Sequence, residues 1–183
     1  AGRGCIPNRV DISMRPKVVE RKSRLGDWEG DTIIGKNHKG AILSMVDRKS
    51  KFTLLALLKN KRARNVVTAT QDCFNRAPRK ICRTITYDNG KEFSSHAKIA
   101  KALNIKCFFA RPYRSCERGL NEHTNGLVRQ YLPKKTDFTV LTEKDVLDIE
   151  NKLNDRPRKV LGYLTPREVY LGKSRSMKVA LEC

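Results

Sequence analysis

From residue 26 onward the chain alternates and then repeats at helical spacing. In DWEGDTIIG, Glu29, Asp31 and Ile33 fall on one side, and Trp28, Gly30, Thr32 and Ile34 on the other. A period of two is the mark of a strand. GAILSMVD (40–47) and KFTLLALL (51–58) follow as two apolar runs, and the short link RKS (48–50) between them suits a hairpin. Together they predict a three-strand antiparallel meander. In KRARNVVTATQDCFNRA the residues Ala63, Val66, Val67, Thr70, Cys73 and Phe74 recur at helical spacing until Pro78 ends the run. TITYD (84–88) predicts a fourth strand stopped by Asn89-Gly90, residues 94–103 a helix, and IKCFFA (105–110) a short fifth strand. After the loop RPYRSCERG, a helix is expected over 118–131, with Leu127, Val128 and Tyr131 apolar on one side. Thr142 and Asp145 then form a capping-box-like start to a last helix, in which Val146, Ile149 and Leu153 share a face; Asn154 to Pro157 stops it. Residues 1–25 are basic, broken by Pro7 and Pro16, and lack sustained periodicity, so they are expected to form an arm or connector.

A meander followed by alternating helices and strands is an α/β order with a mixed sheet. A five-stranded mixed sheet with helices on both faces, the ribonuclease-H-like arrangement, is one topology compatible with it. Composition adds the partner. The 183 residues carry 39 Lys and Arg against 19 Asp and Glu, a formal charge of +20. Such an excess repels itself in a compact state unless a polyanion is near. Nucleic acid fits best, because neutralising phosphates releases counterions. Anionic lipid is the weaker reading: no apolar run approaches the roughly 20 residues that span a bilayer, and no signal-peptide pattern is seen. Cysteines at 5, 73, 82, 107, 116 and 183 include no C-x-x-C pair. That spacing gives no zinc framework, and Cys73, Cys82 and Cys107 sit in apolar runs as small core residues. A reducing, cytoplasmic setting is expected.

Three acids stand out by position. Asp31 lies in the first strand, Asp88 ends the fourth, and Glu122 stands near a helix start, separated from Asp88 by the 33 residues 89–121. Strand ends and a helix start can meet in space. Clustered carboxylates repel, so in a basic protein a cation among them explains them best. Oxygen ligands favour Mg²⁺ or Mn²⁺. Two such ions could clamp the attacking and leaving oxygens of a phosphodiester. The plainer alternatives are an Asp that forms the Asn-Gly turn and a Glu that complements a helix dipole. Position and composition leave both open.

WEGDTI (28–33), TYDNGKEF (86–93) and ERGLNEHTNGLVRQYLPK (117–134) together resemble the catalytic core of insertion-sequence transposases of the IS-thirty family, within the retroviral-integrase-like DDE superfamily. VDRKSKF (46–52) and NDRPRKVLGYLTPREV (154–169) resemble it as well, so the likeness runs from about residue 4 to 172. The resemblance implies the ribonuclease-H-like fold, an integrase-like core over 26–172 and a C-terminal tail over 173–183. It implies Asp31, Asp88 and Glu122 as catalytic and metal-binding triad for two divalent ions. It also implies strand cleavage followed by attack of a 3′-hydroxyl on target DNA, with element ends and target as partners. Joining two ends implies a dimer or larger assembly on DNA. Two features depart from the family: no helix-turn-helix pattern precedes the core, and Cys116 stands where a Trp is usual.

Other residues are weighed beside the triad. Arg111, Tyr113 and Arg114 form a basic loop with one aromatic, placed to touch DNA. Asn125 and Arg129 share the Glu122 face, Arg129 to meet phosphate and Asn125 to orient substrate or a carboxylate; a solvated face is the alternative. Glu29 is expected to be structural, Glu92 to hold its loop by hydrogen bonds, and Asp47 to form a turn or local ion pair. His123 adjoins Glu122, but neighbours on a helix point about 100° apart, and His38, His96 and His123 show no ligand spacing. Two rivals to a strand-transfer enzyme are a nuclease of the same fold that only hydrolyses and a transposase-derived DNA-binding module without activity.

Overall fold

The computed structural model describes residues 6–111 and 119–172. β1 (Asp27–Ile34), β2 (Ala41–Asp47) and β3 (Thr53–Leu58) form the expected antiparallel meander, and β4 (Thr84–Tyr87) and β5 (Lys106–Phe109) add in parallel beside β1. The strand order is β3-β2-β1-β4-β5. Around this mixed sheet lie α1 (Lys17–Glu20), α2 (Ala63–Arg76), α3 (His96–Leu103), α4 (Gly119–Tyr131), α5 (Glu143–Asn154) and α6 (Pro166–Leu171).

The alternation along β1 feeds two cores. Trp28 joins a cluster with Val66, Cys73 and Phe74 of α2, while Ile33 joins Val128 of α4 and Val146, Ile149 and Leu153 of α5. Helices therefore cover both faces. Trp28 is fully buried, its ring edge-on to Phe74 at 5.0 Å and to Tyr170 at 5.8 Å, and its indole N–H donates to the Ile81 carbonyl at 2.9 Å. Gly30 is required by packing: a Cβ there would stand 2.5 Å from the Tyr87 ring.

The helix expected over 94–103 begins at His96, behind a 3-10 turn, Lys91–Phe93. That turn buries Phe93 on Tyr87, with ring centroids 4.3 Å apart. The sequence reading assigned no element to residues 158–171. There α6 opens on a Thr165–Glu168 capping box and sends Tyr170 into the core, where it stacks on Phe52 at 4.4 Å. Residues 6–20 lie against the domain, with Ile6, Ile12 and Val19 buried. Their spacing shows no period because they run along an edge. Asp11 bridges Phe109 in parallel, and the Phe109 N–H donates to the Val10 carbonyl at 2.9 Å, which covers the outer side of β5.

The opposite edge, β3, is closed by side chains. Asn154 accepts from the Thr53 N–H at 2.8 Å and donates to the Thr53 carbonyl at 2.7 Å. Glu150 accepts from the Leu55 N–H at 2.6 Å, and Arg76 donates to the Leu55 carbonyl and pairs with Glu150. The last turns of α5 and α2 thus take the place of a sixth strand.

Candidate active site

Asp31 stands on β1, and Asp88 directly follows the neighbouring parallel strand β4. The register Asp27↔Thr84, Trp28↔Ile85, Glu29↔Thr86, continued by two residues, sets Asp31 level with Asp88. Adjacent strands are roughly 4.8 Å apart, so the two carboxylates share one locality. Each is held. Asp31 Oδ1 accepts from the Thr32 N–H at 2.8 Å, and Oδ2 accepts from the Asn125 amide at 2.9 Å. Asp88 Oδ1 accepts from the Gly90 N–H at 2.9 Å, and Asn89 ties the same turn to the Ala110 carbonyl at 2.8 Å. A Cβ on Gly90 would lie 2.5 Å from Glu92 Oε2 and 2.9 Å from Asp88 Oδ1, so a side chain there would push both carboxylates from their places.

Glu92 links this turn to β1. Its Oε1 accepts from the Thr32 hydroxyl at 2.7 Å and from Lys61 at 2.9 Å. Burial pushes the Glu92 carboxyl up, but hydrogen bonds from Lys61, its own backbone N–H and Thr32 outweigh it and leave the group below its ordinary value. The loop-holding role expected for Glu92 is the one it has.

α4 lies across β1 and β2 and is fastened at four-residue intervals. Asn121 donates to the Gly30 carbonyl at 3.4 Å, Asn125 to Asp31, and Arg129 to the Ile34 carbonyl at 2.7 Å. The Asn125 carbonyl oxygen in turn accepts from the Ser44 hydroxyl at 3.1 Å, and Ser44 is the β2 residue opposite Asp31. Glu122 is exposed in the first turn of α4, one residue after buried Asn121 and three before Asn125. The structure therefore brings Asp31 and Asn125 together, carries Glu122 on the same helix as Asn125, and sets Asp88 directly after the strand beside β1. Among the described residues, no three His, Cys, Asp or Glu side chains are already gathered closely enough to enclose a metal. The chemistry of Asp31 and Asp88, paired hard oxygen donors, fits a divalent cation.

The remaining sequence candidates separate clearly. Arg129 is committed to Ile34 and lies over the Phe138 ring at 5.6 Å. Arg111 is exposed and within 3.6 Å of Asp11. Tyr113, Arg114 and Cys116 lie outside the described residues. Asp47 forms a turn: its carboxylate accepts from the N–H groups of Gly26, Lys49 and Ser50 and from the Ser50 hydroxyl, while burial raises its pKa. Glu29 is buried in an ion pair with Arg48, the structural role expected of it. His96 is buried on Phe109 and bonded to the Pro7 carbonyl. Cys73 and Cys107 are buried free thiols whose pKa burial pushes up to about 12. Sequence reasoning missed Ser44, Thr32, Lys61 and Asn121. Only Ser44 left a signal, as the one hydroxyl inside the apolar run of β2.

A mixed five-stranded sheet in the order β3-β2-β1-β4-β5 with helices on both faces is the ribonuclease-H-like fold. Two solved structures share the fold. The catalytic core domain of BIV integrase superposes with a TM-score of 0.59 at 21% identity, covering 80% of this chain and 93% of that one. A chain of the simian T-cell lymphotropic virus intasome gives 0.66 at 16% identity, over 86% of this chain and 58% of that one. Residues 22–115 match the integrase core domain, and the chain belongs to that family. Its relatives include the transposase for insertion sequence element IS4351 of Bacteroides fragilis, 54% identical over 93% of this chain and 52% of the relative. Transposase InsI for insertion sequence element IS30A of Escherichia coli is 36% identical over 90% of this chain and 43% of its own length. These relatives bear out the resemblance read from the motifs. The chain spans about half the length of the curated relatives it matches.

Proposed function

We propose that the chain is the catalytic core of a transposase that cuts DNA at the ends of an element and joins the freed ends to target DNA. Asp31, Asp88 and Glu122 would hold two divalent ions, Mg²⁺ or Mn²⁺. The observation that supports this reading is the parallel β1–β4 register, which extended by two residues sets Asp31 level with Asp88, together with the hydrogen bond that Asp31 accepts from Asn125 of the helix that bears Glu122. Bound there, the ions would supply charge stabilisation for the attacking and leaving oxygens of a phosphodiester. Cleavage adds water across a P–O3′ bond and frees a 3′-hydroxyl. In transfer that oxygen bonds to a target phosphorus, the target O3′ leaves with the proton, and one P–O bond forms for each one broken.

The chain's own residues hold the two strand carboxylates in one orientation and bring the DNA to them. A charge of +20 supports affinity for the phosphate backbone. Arg111, Tyr113 and Arg114, which precede α4 in the sequence, are the proposed DNA contacts. Asn125 and Arg129 serve that contact from α4 itself, Asn125 chiefly through Asp31 and Arg129 by setting the helix on β1. Two or more copies would assemble on DNA, since joining both ends requires holding both. Among the described residues no helix is long and apolar enough to cross a membrane. A cytoplasmic, nucleoid-associated location follows from the proposed substrate.

Asp88→Asn removes a metal-binding charge while keeping size and hydrogen bonding. It should abolish Mn²⁺-dependent cutting of end-bearing DNA and leave DNA affinity unchanged, read by gel and by fluorescence anisotropy. A variant that still cuts would overturn the triad. Nicked donor with no joined product from the unaltered chain would reduce the reading to a hydrolysing nuclease.

A further inference from the structure

Asp31 and Asp88 belong to different segments, and the backbone ladder between those segments stops early. The paired register of β1 and β4 ends at Glu29↔Thr86, two residues short of both acids. Past that point a side-chain hydrogen bond spans the same gap. The Thr32 hydroxyl, on β1, donates at 2.7 Å to Glu92 Oε1, in the turn that follows Asp88. Thr32 is also tied to the first acid, because its N–H donates to Asp31 Oδ1 at 2.8 Å. Glu92 sits beside the second. Its Oε2 and Asp88 Oδ1 stand 2.5 and 2.9 Å from the place a Gly90 Cβ would take, so the two carboxylates crowd one side of one turn. A chain of contacts therefore runs from Asp31 through Thr32 and Glu92 to the Asp88 turn.

The parts of this link are themselves fixed. The Glu92 side chain is 10% exposed, and Lys61, just ahead of α2, holds the same Oε1 at 2.9 Å. Burial pushes the Glu92 carboxyl up, yet its hydrogen bonds keep it below its ordinary value, so at neutral pH it is ionised and can accept but not donate. The Thr32 hydroxyl must then be the donor, which fixes the direction of its O–H. Phe93, buried against Tyr87, anchors the turn that carries Glu92. We propose that Thr32 and Glu92 are positioning residues for the divalent cation: their hydrogen bond continues the link between the strands where the ladder ends, sets the Asp31 carboxylate relative to the Asp88 turn, and so sets the affinity of the site. The inference rests on the metal-binding role proposed for Asp31 and Asp88. It adds that metal affinity depends on a hydroxyl that touches no ion.

The test is calorimetric titration of the chain with Mn²⁺, without DNA. Thr32→Val keeps the shape of the side chain and the N–H on Asp31 but removes the hydroxyl. It should weaken Mn²⁺ binding about tenfold or more, the loss typical of groups that orient a metal ligand. Thr32→Ser, which restores a hydroxyl, should recover most of that loss. Glu92→Ala removes the acceptor, and in that background Thr32→Val should change the affinity by less than about twofold, because the bond is already gone. Equal losses from Thr32→Val with and without Glu92, or an unchanged affinity in the single variant, would overturn the proposal. If Thr32→Val does not fold, Thr32→Ala takes its place in the same cycle. Asp88→Asn tests the underlying reading separately. An affinity no different in Asp88→Asn from that of the unaltered chain would remove the metal assignment, and the link with it. Loss in Asp88→Asn without loss in Thr32→Val would leave the metal assignment standing and remove the link alone.

Discussion

Asn125 uses both ends of its amide, one on Asp31 and one on Ser44, and so fixes where the Asp31 carboxylate points. Partners of this kind tune ligand affinity, and their loss typically costs about 10–100-fold. Asn125→Ala should therefore raise the Mn²⁺ concentration needed for half-maximal cleavage by about that factor, with the saturated rate largely recovered. An unchanged half-saturation point would show that Asp31 does not depend on Asn125. The helical spacing of Asn125 from Glu122 made its position legible in the sequence. The same spacing suggested phosphate for Arg129, yet its guanidinium meets the Ile34 carbonyl. A backbone acceptor on another element leaves no mark in side-chain periodicity. The Asp31–Ser44 pairing was equally hidden, because it depends on the register between β1 and β2.

At the scale of elements, α5 shows why some of the fold was legible and some was not. Its Thr142 cap and the apolar row Val146, Ile149 and Leu153 are local patterns, and all three apolar residues are buried as expected. Its polar duty toward β3 is a tertiary matter. Asn154 is fully buried and satisfies both backbone groups of Thr53. Asn154→Ala should strip partners from both and cost about 2–3 kcal/mol, read as a lower urea midpoint at unchanged slope. A loss within about 0.5 kcal/mol, the range of ordinary surface changes, would mean that water replaces the amide. α6 and residues 6–20 escaped sequence reading for a related reason. Ile6, Ile12, Val19 and Tyr170 are buried by neighbours distant in sequence rather than by a repeating face of their own.

For the whole molecule, the charge of +20 predicts how DNA binding responds to salt. If about six to ten phosphates are neutralised, affinity for a short duplex of arbitrary sequence should fall roughly 10³–10⁵-fold between about 50 and about 200 mM salt. A shallow dependence would assign recognition to uncharged contacts. The covered sheet edges bear on assembly. With β5 bordered by Val10 and Asp11, and β3 by Asn154, Glu150 and Arg76, strand addition from another chain is blocked at those positions. In the proposed assembly, copies would meet through helix faces or through DNA. Growth strand by strand is closed off at those positions, so the sheet would end within each subunit rather than run on into the next.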